Sequence, residues 1–401
     1  MVRAAQLEKY KGLSAKKKTA APVYNCLNPG AAPAICRRPA PSDYRSKPVT
    51  ALPSYDPASG KLWQVDLRGL DIGALDLSGR TTDLVFADFD TRTKFPAKLP
   101  EGFDPARYLE LGRDPGLGVR ALHAKGITGK GIGIGIIDQP LLVTHTEYAG
   151  KLRSYEELHL LDKDPKATMH GGAVSSIAVG KTCGVAPGAD LYYIATDFFD
   201  ADGEINFAYL AAAIDRLIAI SGALPEERRI RAISISRGFG LNENGADELM
   251  AAIGRAKAKG ILVITTSTGN YYDFRFTGLG RSPLSDPDAA ASYGPGMFWS
   301  RDFFAGRAKF AEGRLLVPMD SRTTAAPEGD DEYVFYSDGG MSWSAPYIAG
   351  LYALACQADP AAAPETFLKK ALETSVQVRA GRDGKELELK GIVNPAALLK
   401  K

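Results

Sequence analysis

Histidine and cysteine are both scarce in this chain of 401 residues, and each shortage narrows the chemistry open to it. The chain has only four histidines, so any imidazole-based catalysis must use one of them. The four cysteines are too few and too scattered for a disulfide framework, and their spacing does not match a zinc site. The residues alone therefore assign no metal and no other cofactor to the protein.

Charge bias and long apolar runs are missing as well. A formal net charge of +2 implies no broad basic surface, which argues against a nucleic-acid partner. No apolar run reaches the roughly 18 residues that a membrane-spanning helix needs. The first 20 residues are rich in Lys and Ala but lack the apolar core of a secretory signal. We therefore expect a cytoplasmic protein with no membrane partner, and the sequence leaves its oligomeric state open.

One serine near the C-terminus lies in a setting that suits a nucleophile. Ser342 follows Gly339-Gly340-Met341, and apolar residues recur after it at helical spacing, from Ile348 onward. Small residues before the serine allow a substrate backbone to approach closely. A position in the first turn of a helix would place free backbone N–H groups beside the hydroxyl. A serine at a helix start is more often a plain N-cap, so Ser342 needs partners elsewhere in the chain.

Two upstream segments provide such partners. His170 opens a run of small residues that predicts a helix start, with no bulky neighbour to shield the imidazole. Asp138 ends the apolar segment Gly131–Ile137, which predicts a buried strand. A carboxylate at the end of a strand can orient a histidine and stabilise the imidazolium that forms when it takes a serine proton. The candidates follow one another in the chain order Asp, His, Ser.

This order and the local motifs resemble those of the subtilisin-like serine peptidases of the S8 family. The resemblance covers roughly residues 120 to 400. It depends on an apolar strand ending in Asp, a His-Gly block and a Gly-x-Ser block followed by Pro, with weaker matches between them. The matching segments are Ile136-Ile137-Asp138, His170-Gly171-Gly172-Ala173, Gly340-Met341-Ser342-Trp343-Ser344-Ala345-Pro346, Gly184–Ala189 and Gly391-Ile392-Val393-Asn394-Pro395. The chain departs from the family pattern in lacking a second histidine after His170 and in having Met341 for Thr and Ser344 for Ala.

The resemblance implies a serine endopeptidase that acts on polypeptides through an acyl-enzyme. Asp138, His170 and Ser342 would form the catalytic triad, and Asn270, after Gly269, would donate to the oxyanion. The segment Ser236-Arg237-Gly238 would offer backbone groups to an extended substrate. Arg237 replaces an apolar residue that is usual in the family, which puts the subsite preference in doubt. Family members often bind structural calcium, but no acidic loop here can be assigned to it.

The segments between these motifs predict an α/β fold. Short apolar, β-branched runs alternate with helical patterns, which favours a doubly wound, mostly parallel central sheet with helices on both faces. The predicted strands span residues 189–196, 231–236 and 261–267, and the predicted helices span residues 206–221 and 246–259. In such sheets a site forms outside the carboxyl ends of the strands, where Asp138 and Asn270 both fall.

The N-terminal third does not match the family, and we divide the chain at residue 118. Residues 1–118 form an N-terminal extension, and residues 119–401 form the subtilisin-like catalytic domain. Residues 1 to about 60 are rich in Lys, Ala and Pro and are expected to be extended or mobile. Alternating apolar residues within 63–86 predict a small strand-containing unit packed on the catalytic domain. We favour an accessory unit over a cleaved propeptide.

Several other interpretations remain open from the residues. The glycines at 131, 133 and 135 could suggest a dinucleotide loop, but they alternate within a strand and the required final glycine is absent. Asp138 could cap a loop, Asn270 could be a turn residue, and His145 is expected to be structural. A catalytically inactive relative acting as a binding or scaffold protein, or an esterase with the same triad, would also fit. The pattern Gly-x-Ser-x-Gly of α/β-hydrolases is missing around Ser342.

Overall fold

The computed structural model of the chain describes residues 34–43, 49–382 and 384–400. The expectation of an extended or mobile segment before residue 60 falls largely on residues 1–33 and 44–48, outside the described residues. The same is true of the expectation that the first 20 residues carry no secretory signal.

The described residues form helices and strands throughout. The helices are α1 (Thr81–Val85), α2 (Pro105–Arg113), α3 (Val119–His123), α4 (Met169–Val179), α5 (Ala208–Ala223), α6 (Ala246–Ala258), α7 (Met297–Phe304), α8 (Met341–Ala358), α9 (Pro364–Glu373) and α10 (Pro395–Leu398). The strands are β1 (Val65–Asp66), β2 (Ala87–Asp90), β3 (Gly133–Asp138), β4 (Leu152–Leu158), β5 (Asp190–Thr196), β6 (Ile230–Ile235), β7 (Leu262–Thr265), β8 (Phe276–Arg281), β9 (Tyr293–Pro295), β10 (Leu315–Pro318), β11 (Arg322–Ala325), β12 (Tyr333–Tyr336), β13 (Val376–Arg382) and β14 (Lys385–Ile392). No helix in these ranges is both long and apolar enough to cross a membrane.

The central sheet has five strands in the order β4-β5-β3-β6-β7, and every neighbouring pair is parallel. Because successive side chains of a strand point to opposite faces, each strand contributes to two cores. Ile134 and Ile136 pack with α4 and α8, whereas Ile137 packs on the other face with α5 and α6. The predicted fold class, a doubly wound sheet with helices on both faces, is confirmed.

The helix and strand bounds show how local signals determine these elements. Helix α6 begins after Gly245, whose φ of 76° suits glycine, and carries Asp247 and Glu248 in its first turn. It ends before Gly260, which has a φ of 70°. The predicted helices and strands of the central layer differ from the observed ones by only one or two residues at most ends. The strand predicted for residues 261–267 ends two residues early, at Thr265, and the 3₁₀ turn Thr268–Asn270 follows it.

A second sheet joins the N-terminal region to the segment before Ser342. Its order is β1-β2-β12-β11, so strands from both sides of residue 118 pair with each other. Phe89 of β2 lies opposite Phe335 of β12, and both side chains are fully buried in one apolar core. Within 63–86, only β1 is a strand, and α1 ends the segment. The division at residue 118 remains a prediction, but the two sides share a sheet and a core.

Residues 34–43 cover an edge of the central sheet. The Tyr155 N–H of β4 donates to Ala34 O at 2.9 Å, and the Cys36 N–H donates to Tyr155 O at 2.9 Å. Cys36 is disulfide-bonded, whereas Cys183 and Cys356 are free and buried. These contacts pair the exposed edge of β4, which would otherwise present unpaired backbone groups.

The long segment 271–338, which follows the central strands, is well structured. It contributes β8 to β12, which lie in two sheets. The third sheet has the order β13-β14-β10-β8-β9 and packs its apolar side chains into the larger core. Only the end of the segment, from Tyr336 to Asp338, reaches the cleft described below.

The shared core of the second sheet generates a stability prediction. Phe89 is fully buried, and its ring stacks on Phe335 with centroids 5.3 Å apart. Phe89→Ala should lower the free energy of unfolding by about 3–5 kcal/mol, because it leaves a cavity between β2 and β12. Urea unfolding followed by circular dichroism measures this loss, with Leu241→Ala as a control at a side chain that is 55% exposed. A Phe89→Ala loss below about 1 kcal/mol would show that the two regions are not one cooperative core.

Candidate active site

A cleft of about 680 Å³ lies at the carboxyl ends of the central strands and the start of two helices. Asp138 is the last residue of β3, His170 is the second residue of α4, and Ser342 is the second residue of α8. All three line this cleft, together with Ser236, whose segment follows β6. The structure therefore brings together three elements that are far apart in the chain.

Local sequence explains how α4 approaches the end of β3 so closely. Thr168 is the N-cap of α4, and its hydroxyl accepts from the Gly171 N–H at 3.4 Å. A Cβ on Gly171 would lie 2.6 Å from Tyr193 Oη and 2.8 Å from Gln139 O. Only glycine fits between these atoms, so Gly171 lets the first turn of the helix rest on the strand end. His170 is thereby placed beside Asp138.

Asp138 and His170 form a close, largely buried pair. Asp138 Oδ1 lies 2.7 Å from His170 Nδ1, and the same oxygen accepts from the Gln139 N–H at 2.8 Å. The side chains are 6% and 16% exposed. Burial acts to lower the pKa of His170, but the charge of Asp138 and its hydrogen bond outweigh burial, so the pKa lies above its ordinary value. The contact with Asp138 identifies Nδ1 as the protonated nitrogen of a neutral ring, which leaves Nε2 as a base.

Ser342 lies at the start of α8, and its hydroxyl contacts the segment after β6. Ser342 Oγ donates to Ser236 O at 3.3 Å, and Ser236 Oγ donates to Ser342 O at 2.7 Å. Helix α8 has no side-chain cap at its N-cap residue, Gly340. Among the residues that the structure describes, the Ser342 hydroxyl makes no hydrogen bond to His170. Apo sites often tighten such contacts only when substrate binds.

The residue after the serine contacts the histidine. The ring centroids of Trp343 and His170 are 5.6 Å apart, and Trp343 is 5% exposed. On its other side Trp343 meets Tyr336 edge-on, with centroids 5.4 Å apart. Trp343 therefore packs between the imidazole of His170 and the ring of Tyr336.

The predicted substrate segment lies along the cleft. Ser236, Arg237 and Gly238 all line it, as does Thr266 after β7. The guanidinium of Arg237 lies 4.2 Å from the centroid of the Phe198 ring, which is a cation–π contact. A Cβ on Gly238 would lie 2.7 Å from Thr266 Oγ1, so the backbone here passes close to its neighbour.

Asn270 is the predicted site residue that the structure does not bring into the cleft. It is exposed at the end of the 3₁₀ turn Thr268–Asn270 and lines a separate, shallow pocket. Its Nδ2 donates to Phe239 O at 3.1 Å. Thr266, which the sequence analysis did not single out, lies in the cleft instead. The turn after β7 therefore directs the asparagine away from the cleft.

The other three histidines are bonded to the backbone. The Nε2 atoms of His123 and His145 lie 2.8 Å from Val185 O and Glu332 O, and that of His159 lies 3.2 Å from Phe199 O. Burial lowers the pKa of all three imidazoles. Their contacts are those of structural histidines.

Several cleft residues come from the N-terminal region or lie just before the serine. Trp63, Arg68 and Asp88 line the cleft, as do Tyr336 and Asp338. Sequence reasoning did not single them out, because the first three precede the segment with family motifs. The alternating apolar pattern of residues 63–86 predicts a strand in this region, but it does not identify the strand with which that strand pairs.

Part of the chain matches a family of known proteins. Residues 129–296 match the model of the subtilase family, Peptidase_S8. This part of the chain is therefore similar to the subtilases. The matched range holds Asp138 and His170, while Ser342 lies after it and Trp63 before it. The match agrees with the resemblance to serine-type peptidases that the sequence motifs indicated.

A curated relative and a solved structure are also similar to this chain. The subtilisin-like protease PopC of Myxococcus xanthus (strain DK1622) is 24% identical over 302 residues. The match covers 69% of this chain and 61% of that protease's length. The structure of the prenylagaramide maturation protease PagA is 15% identical, with a TM-score of 0.47, over 70% of this chain and 97% of that chain.

The Asp138–His170 pair generates a prediction about titration. The pKa of His170 should lie above 6.5, and Asp138→Asn should move it below 6.5, because burial remains when the carboxylate charge is lost. NMR titration of the imidazole protons of this four-histidine protein measures both values. A raised pKa also means that the pair stabilises the fold below pH 6.5 and that this contribution is lost as pH rises through the folded-state pKa.

A matched control for this experiment is Asp162→Asn. Asp162 also lines the cleft, but the electrostatic causes that shift His170 do not include it. That variant should leave the His170 titration unchanged. Equal shifts in both variants would mean that general cleft charge, and not the bond to Asp138, sets the pKa.

Proposed function

We propose that this protein is a subtilisin-like serine endopeptidase that cleaves polypeptides through an acyl-enzyme, with Asp138, His170 and Ser342 as its triad. The observation that carries the proposal is the buried 2.7 Å contact between Asp138 Oδ1 and His170 Nδ1 in the same cleft as Ser342. An oriented imidazole beside a serine at a helix start has the parts that nucleophilic acyl transfer requires.

The proposed reaction begins with a proton transfer. His170 Nε2 takes the Ser342 proton as Oγ attacks the peptide carbonyl, and Asp138 stabilises the imidazolium. His170 then gives the proton to the leaving amine, which departs and leaves an acyl-serine. Water, deprotonated by His170, attacks the acyl carbon, and the carboxylic acid is released as Ser342 is regenerated.

Substrate binding is proposed to release the serine hydroxyl. In the free cleft Ser342 Oγ donates to Ser236 O, which belongs to the segment proposed to pair with the substrate backbone. A substrate N–H that donates to this carbonyl would compete with the hydroxyl. The hydroxyl can then turn toward His170, which links strand pairing to activation of the nucleophile.

Oxyanion stabilisation is proposed to use the Ser342 N–H and the side chain of Asn270. The first N–H groups of a helix lack intrahelical acceptors and lie at its positive end, which supports the role of Ser342 N–H. The role of Asn270 requires its Nδ2 to leave Phe239 O and to turn into the cleft. Thr266 Oγ1 is the competing donor, because Thr266 already lines the cleft.

The proposed steps use amino-acid side chains and backbone alone. Structural calcium is implied only by the family resemblance. Among the described residues, no group of three or more His, Cys, Asp or Glu side chains is arranged to hold a metal ion. We therefore assign no residue to calcium and derive no step from it.

Wild type and Ser342→Ala, compared in one set of assays, test the proposal. Wild type should react with a fluorophosphonate probe and hydrolyse both casein and simple esters, and Ser342→Ala should do none of these. Reaction with the probe and esters but not with casein would favour an esterase. No reaction with the probe would favour an inactive, subtilisin-like binding protein.

The oxyanion donor is tested by a pair of variants. Asn270→Ala should lower turnover by about 10²–10³, the range for the corresponding donor of subtilisin, with little change in KM. Thr266→Val, which keeps the shape and removes the hydroxyl, should leave turnover within about threefold. Near-normal turnover of Asn270→Ala refutes its assignment, and a large loss in Thr266→Val alone transfers the role to Thr266.

A further inference from the structure

Trp63 occupies an unusual place for a residue so early in the chain. It lies well before the family-matched range 129–296, yet it lines the cleft that contains Ser342. Its backbone has a φ of 54°, in the left-handed region that a tryptophan rarely adopts. Strained backbone persists only where surrounding contacts hold it, and it occurs often at functional sites.

Two hydrogen bonds hold Trp63 against the segment that leads to the serine. Its backbone N–H donates to Asp338 Oδ2 at 3.1 Å, and its indole N–H donates to Asp338 O at 2.9 Å. Asp338 is 1% exposed and lies four residues before Ser342. The next residue, Gly339, donates its N–H to the buried carboxylate of Asp320 at 2.8 Å. Trp63 is therefore attached to a segment that is itself held in place.

The polar groups around Trp63 are largely engaged with one another. The Arg68 guanidinium makes a double contact with Asp66, through Nε at 2.8 Å and Nη2 at 2.7 Å. Asp338 accepts from Trp63 at both its side chain and its carbonyl. Because the indole N–H is used in this contact, the aromatic ring is the part of Trp63 left to face a ligand. Trp63 and Met341 both line the cleft and contribute apolar surface to it.

The two walls of the cleft belong to different sheets. Ser236 to Gly238 follow β6 of the central sheet and are proposed to pair with the acyl side of the substrate. Trp63 is attached to Asp338, which follows β12 of the second sheet. The acyl part of the substrate stays on Ser342 and along the first wall. The wall of the second sheet is then left for the residues of the leaving group.

We propose that Trp63 is a specificity-determining residue that contacts the leaving-group side of the substrate and favours an apolar side chain there. This inference rests on the proposed peptidase function. Peptides with an apolar residue shortly after the scissile bond are the expected substrate class. The N-terminal region would then select substrates as well as stabilise the fold.

The test compares substrates that differ only beyond the scissile bond. Internally quenched peptides carry Leu, Lys or Asp in the two positions after that bond, and peptidyl p-nitroanilides carry no amino acid there. Trp63→Ala should lower kcat/KM for the Leu peptides about tenfold or more and should leave the Lys and Asp peptides within about twofold. It should also leave p-nitroanilide hydrolysis and the rate of fluorophosphonate labelling unchanged.

Two further variants distinguish a role of Trp63 in substrate selection from a role in folding. Trp63→Phe keeps an aromatic ring and loses the indole N–H, so it should keep most of the preference for Leu. Tyr55 lies in the same region but does not line the cleft, so Tyr55→Ala should change no substrate preference. Equal losses on p-nitroanilides and Leu peptides in Trp63→Ala would assign Trp63 a purely structural role.

Failure of this inference differs from failure of the proposed function. If wild type labels with fluorophosphonate but the Leu preference is absent or unchanged in Trp63→Ala, only the role of Trp63 is overturned. If wild type does not label, the peptidase proposal falls and the role of Trp63 falls with it.

Discussion

The contact between Asp138 and His170 is the interaction on which the rest of the site depends. It requires a strand end and a helix start to meet within hydrogen-bond distance, and Gly171 is the residue that allows this approach. A parallel sheet satisfies the requirement because its strands end at one edge, where the following helices begin. The packing that buries β3 therefore also positions the carboxylate of Asp138 at the end of that strand.

A second constraint acts on the serine from a different sheet. Gly339 and Asp338 are held by Asp320 and Trp63, so the segment before α8 is held from two directions. Burial raises the pKa of Asp338 to about 6 and that of Asp320 well above its ordinary range. A raised carboxyl pKa means that the folded state binds protons more readily than the unfolded state. Stability from these groups thus falls as pH rises from about 4 toward their folded-state pKa values.

Sequence predicted the central layer well because its signals are local. The β-branched runs of β3, β5 and β6 predict strands by themselves, and the helical spacing of apolar residues in α5 and α6 predicts helices. Asp138, His170 and Ser342 were identified because each lies in a recognisable motif, and the structure places all three in one cleft. The orientation of Asn270 was not predictable, because it depends on the 3₁₀ turn after β7 and on the carbonyl of Phe239.

The second sheet was beyond prediction for a different reason. Alternating apolar residues show that a segment can form a strand, but they do not identify the strand with which it pairs. Phe89 pairs with Phe335, which lies much later in the chain, and this pairing of β2 with β12 brings Trp63 beside Asp338. The family match does not extend to this wall of the cleft, because Trp63 precedes the matched range and Tyr336 and Asp338 follow it.

The use of two sheets for two walls has a consequence for which substitutions this protein can accept. The Asp138–His170 pair depends on β3, α4 and the core around them, whereas Trp63 depends on β1, β2 and β12. Substitutions in separate cores with no shared partners act nearly additively on stability. Changes in the N-terminal wall can therefore alter what enters the cleft without displacing the acid–base pair. The two systems are linked by Tyr336 of β12, which contacts Trp343, and by the segment from Asp338 to Ser342, in which Asp320 holds Gly339 independently of Trp63.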